Sequence, residues 1–240
     1  MPLPKISTPT YELELPSTGK KIKYRPFLVR EEKVLILALE SEDSTQIANA
    51  IKKTLKDCIQ TRGIKVESLP TFDIEYLFLN IRGKSVGEAV DLIITCPDDG
   101  ETTVPVKVYI DEIGVIKDSD HTPDIKLDDT LTLRMKYPSL DQFVSTNFNF
   151  DEEGESLTQS FEIISSCIDM IFNEDDCWST SDCTKKELLT WMDDLNSNQF
   201  KEIEKFFATM PKLTHTIKVK NPNTKIESEV VLEGLQSFFG

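Results

Sequence analysis

Tyr11-Glu-Leu-Glu-Leu-Pro-Ser-Thr-Gly-Lys-Lys-Ile-Lys-Tyr-Arg-Pro-Phe27 alternates apolar and polar residues on both sides of Pro16-Ser-Thr-Gly19. Period-two alternation puts one face of each run in a core and the other in water, and the Pro/Gly break supplies a turn, so the stretch predicts a β-hairpin. The period then changes. Between Val29 and Leu39, Val34, Leu35, Leu37, Ala38 and Leu39 are too dense for a one-sided surface helix and predict a helix buried on much of its circumference. Ile47, Ile51, Leu55 and Cys58 recur at helical spacing behind Ser44 as N-cap. Phe72, Tyr76 and Leu79 mark a further helix, which Gly83 and Gly87 break.

Working outward, Val90 to Thr95, Thr103 to Ile110 and Leu131 to Tyr137 are short runs separated by turn residues, a small antiparallel unit. Ser139 and Gln142 form a capping box for a short helix carrying Phe143. Leu157, Phe161, Ile164, Ile168 and Ile171 follow one another at spacings of four and three, which predicts a single helix with an apolar stripe. Thr184 and Glu187 open a second helix bearing Leu188, Trp191 and Met192, and a third carries Phe200, Ile203, Phe206 and Phe207. Leu213 to Val219 and Ile226 to Leu232 return to strand around Asn221-Pro-Asn-Thr224. The fold class is α+β: an N-terminal β-hairpin with helices, a central small antiparallel β unit, and a C-terminal helical block closed by a β-hairpin. Residues 1–150 and 151–240 make two regions, or one composite domain whose end strands join a common sheet.

The 240-residue chain is long enough to bury a core without metals or disulfides. Its 27 basic and 42 acidic side chains leave a formal charge of −15, which makes nucleic acid a poor candidate partner, since affinity for a phosphate backbone comes from Lys and Arg releasing counterions. Residues 151–194 alone hold 13 Asp and Glu against 2 Lys, a segment that repels anions and attracts a basic protein surface. No run is long and apolar enough to span a membrane. Cys58, Cys96, Cys167, Cys177 and Cys183 form an odd set with no signal peptide ahead of them, and read as reduced thiols in a cytoplasm.

Groups able to converge on chemistry are few. His121 sits in the polar stretch Asp118-Ser-Asp-His-Thr-Pro123, and His215 lies within a strand pattern, so neither has a partner in view. Cys96 precedes a Pro-Asp-Asp-Gly turn where a zinc ribbon would place a Cys-x-x-Cys knuckle, but the second position is Asp99. Cys177 and Cys183 fit neither a zinc nor a redox spacing. Ser17-Thr-Gly-Lys-Lys21 has phosphate-loop residue types in a hairpin turn, with no helix N-terminus behind it. No catalytic residue, cofactor or metal ligand is assigned. The apolar ending Leu235, Phe238 and Phe239 is unusual for a chain terminus and calls for something to dock on. With Glu174, Asp175 and Asp176 in the acidic segment, these residues are the candidate partner contacts.

Three stretches carry a family likeness: Thr8 to Lys33; Phe72-Asp-Ile-Glu-Tyr-Leu-Phe-Leu79 with Lys84-Ser-Val-Gly-Glu88; and Met135-Lys-Tyr-Pro-Ser139. They resemble the baseplate hub proteins of T-even-type contractile-tailed phages, described variously as hub subunit and hub assembly chaperone. The lack of converging groups predicts a non-enzymatic chain, and the resemblance implies a late viral protein acting in the host cytoplasm during assembly and in the virion tail baseplate if it stays there. Its partners would be other hub or tail proteins; the acidic charge and the lack of a spanning run, read from the residues, point away from nucleic acid and membrane, and a homo-oligomer is compatible with both. The competing expectations are a metal-dependent tail-associated hydrolase and an acidic adaptor for a basic host protein.

Overall fold

The computed structural model describes residues 6–140, 142 and 157–238. The opening alternation forms β1 (Tyr11–Glu14) and β2 (Lys21–Tyr24), antiparallel with Leu13 opposite Ile22 and Tyr11 opposite Tyr24. Leu13, Leu15, Ile22 and Tyr24 are buried while the residues between them face water. Three helices follow: α1 (Val29–Glu40), α2 (Ser44–Cys58) and α3 (Thr71–Val86). The cap of α2 is Asp43, one residue before the expected Ser44, because its carboxylate accepts the N–H groups of Thr45 and Gln46 at 2.8 and 3.1 Å.

The helix buried around its circumference is α3, in which Phe72, Ile74, Leu77, Phe78, Leu79 and Ile81 are all enclosed. Each such side chain contributes about 1.5–3 kcal/mol through removal from water, so α3 is the axis of the first core. Gly83 lets a neighbouring segment close onto it, since a Cβ there would lie 2.8 Å from Cδ1 of Ile110. That core also holds the hairpin β3 (Ala89–Thr95) and β4 (Thr103–Tyr109). The closing hairpin, β10 (Lys212–Lys220) and β11 (Glu227–Glu233), joins it, with β10 pairing to β5 (Gly114–Ile116). The two ends of the chain therefore share a core without sharing a sheet: β1 and β2 remain their own ribbon, and the order beside β10 is β11-β10-β5.

A second core lies under the antiparallel sheet β6-β7-β8-β9, formed by Asp124–Lys126, Thr132–Met135, Ile168–Phe172 and Cys177–Ser179. Against it pack α4 (Leu157–Ser166), α5 (Lys185–Asp193) and α6 (Ser197–Thr209). The predicted helical stripe from Leu157 to Ile171 is thus corrected: the helix stops at Ser166, and Ile168 begins β8. The register explains the mimicry. Ile168 opposes Met135, Met170 opposes Arg134 and Ile171 opposes Leu133, with a bulge in between. One extra residue shifts the alternation, so Ile168 and Ile171, three apart, reach the same buried face, as they would on a helix. Ser139 and Gln142 exchange both capping-box bonds, at 2.6 and 3.4 Å; Phe143 lies outside the described residues.

Candidate functional site

The start of α1 is fixed by a buried ion pair. Glu31 accepts from Arg25 Nη2 at 2.9 Å, from Arg30 Nε at 2.6 Å and from the Leu28 N–H at 2.7 Å. Burial alone would raise the Glu31 carboxyl; the hydrogen bonds from Arg25, Arg30 and Leu28 outweigh it and bring the pKa down to about 2. This anchor sets the rotation of the helix. Glu31 and Ala38 point inward, Val34 and Leu35 are half-covered, and Val29, Ile36, Leu37 and Leu39 are left 64%, 48%, 65% and 45% exposed, with Leu28 beside them. At about 100° per residue these five cover half the circumference. The expectation of a helix buried on much of its surface is corrected: its density is right, but the described residues cover only one side.

A second surface surrounds the turn between β8 and β9. Asn173 holds the turn, its N–H donating to the Asp176 carbonyl at 3.0 Å and its Oδ1 accepting the Asp175 and Asp176 N–H groups at 2.9 and 2.6 Å. Glu174, Asp175 and Asp176 all project into solvent there. Next to them Trp178, on the edge strand β9, is 46% exposed. Sequence reading passed over Trp178, although a Trp beside an acidic turn is a usable signal for an interface.

The apolar ending does dock, and what it docks on is this chain. Leu235 is 1% exposed and Phe238 fully buried in the first core, with the Leu235 N–H donating to Glu75 Oε1 at 3.3 Å. A partner could reach them only by displacing them; Phe239 lies outside the described residues.

His121 is placed against aromatic rings instead of in an open loop. It stacks on Tyr137 and lies 5.0 Å from the Phe206 ring, while its ring nitrogens meet Thr209 Oγ1 at 3.0 Å and Tyr137 OH at 2.9 Å. Thr209 already donates to the Lys205 carbonyl, so Nδ1 carries the hydrogen and Nε2 accepts from Tyr137. Burial, with Lys117 nearby, lowers its pKa. His215 bonds the Glu112 carbonyl at 3.1 Å. Cys96 is buried, and the Asp98 and Asp99 carboxylates beyond it turn toward Asn221. Burial pushes the Cys58 and Cys167 thiols up to about 11, whereas Cys177 and Cys183 are exposed. Among the described residues no three His, Cys, Asp or Glu side chains are placed to hold a metal ion, and no helix is long and apolar enough to cross a membrane.

Among the described residues, the geometry thus leaves two features open to solvent: the apolar side chains on the outer half of α1 and the acidic, Trp-bearing edge at β9. No curated protein and no solved structure matches this chain. The family described as T4 bacteriophage base plate protein matches residues 8–240, nearly the whole length, and the chain belongs to that family of phage baseplate proteins.

Proposed function

We propose that this baseplate protein works without catalysis in building the central hub, as a hub subunit or as the chaperone that assembles it, through contacts with other hub or tail proteins. The single observation behind this is the outward face of α1, where Val29, Ile36, Leu37 and Leu39 lie uncovered on a helix anchored by a buried ion pair. These apolar side chains share one half of the helix with Glu32, Lys33 and Glu40, and large exposed apolar residues gathered on one face among charged ones suit a binding face. A net charge of −15 keeps a chain with such a face soluble during assembly in the host cytoplasm, before or without entry into the virion.

A pull-down of the tagged chain from cells making all hub proteins tests the proposal. Capture of one or more hub proteins at fixed ratio is expected, and capture of none contradicts it. Mass spectrometry of purified particles then separates the two roles: a hub subunit is present stoichiometrically, whereas a chaperone is absent.

A further inference from the structure

We propose that the free edge of β9 is a second docking site, taking an extended, arginine- or lysine-bearing segment of another tail protein. The inference rests on the baseplate role proposed above and extends it to a partner chemistry. β9 is the last strand of its sheet, paired with β8 on one flank and with no strand on the other among the described residues. An edge strand offers backbone donors and acceptors to an added segment, and alternate side chains of that segment fall on opposite faces of the sheet.

Both faces are prepared for this. On one, Trp178 lies opposite Ile171 at the rim of the second core and remains half exposed, a large flat anchor for an aliphatic stem or a guanidinium. On the other, Met170, Phe172, Cys177 and Arg134 line a shallow cleft of about 330 Å³ that runs to the acidic turn. Arg134 does not offset the acidity, because Asp124 already binds it through two hydrogen bonds of 2.6 and 2.9 Å. Glu174, Asp175 and Asp176 form no ion pair with any described residue, so three carboxylates stand at the end of the open edge. A basic strand complements that charge, and an acidic strand is repelled.

The test uses the full isotope-labelled chain and two synthetic extended peptides, one alternating arginine with valine and one alternating glutamate with valine. The arginine peptide is expected to shift the amides of residues 172–179, to change Trp178 fluorescence and to weaken with salt. Glu174→Gln/Asp175→Asn/Asp176→Asn and Trp178→Ala should each weaken binding at least tenfold. The charge-matched control Asp129→Asn/Glu202→Gln/Glu204→Gln should leave it unchanged. Equal binding of the glutamate peptide, equal loss in the control, or shifts centred away from β9 overturns the proposal. Capture of hub proteins by the wild-type chain is read separately, so failure here is distinguishable from failure of the baseplate role.

Discussion

The backbone N–H of Leu235 donates to the Glu75 carboxylate at 3.3 Å, across 160 positions of sequence. Through this bond and the burial of Leu235 and Phe238, the apolar ending becomes part of the first core, closing against α3 immediately after the β10–β11 hairpin.

Burial raises the Glu75 pKa from 4.5 to about 7, with Glu233 adding to the rise and the Leu235 N–H opposing it. Between those two values the folded chain holds a proton that the unfolded chain has released, so stability falls as pH rises through that window and the loss is complete above it. Glu75→Gln keeps an acceptor for Leu235 and removes the charge. Denaturant unfolding at about pH 8 should show the variant more stable by about 2–3 kcal/mol, with little difference at about pH 4.

Asn221 joins two turns. Its Nδ2 donates to both Asp98 oxygens at 3.1 Å and to Asp99 Oδ2 at 2.7 Å, while its Oδ1 accepts the Asn223 and Thr224 N–H groups at 2.8 and 3.3 Å. Thr102 and then Asn221 hold the Asp99 carboxyl well below the usual range. Asn221→Asp keeps the acceptor and replaces the donor with a third carboxylate. It should cost about 2–4 kcal/mol at neutral pH, more than Asn221→Ser, and the difference should shrink in acid.

Beyond the bulge in β8, Leu133 and Ile171 are direct cross-strand neighbours. A double-mutant cycle with alanine at both positions should return a coupling of about 0.5–1.5 kcal/mol in chemical unfolding. Additive effects would place Ile171 elsewhere, as the helical spacing of the sequence suggested.

That spacing shows where sequence stops informing. The Leu13/Ile22 alternation gave the first hairpin directly, because each strand has one wet face and one dry face. The stripe ending at Ile171 misled because a bulge turns period two into a local step of three. In α1 the apolar density was legible, but periodicity records only that a face needs cover, not whether the same chain supplies it. The reverse held at Leu235 and Phe238, which looked available and are covered by the chain itself. Trp178 gave no periodic signal, and its place on an edge strand is visible only from the sheet order.

The most direct test of the central claim is Ile36→Ser/Leu37→Ser in α1, compared with the wild-type chain in the hub-protein pull-down. About half of Ile36 and more of Leu37 face water in the free chain, so the unfolding free energy should change by no more than about 1 kcal/mol. Capture of hub proteins should fall at least tenfold. Undiminished capture by a stably folded variant would contradict the account, since it would mean that the uncovered face of α1 binds none of them.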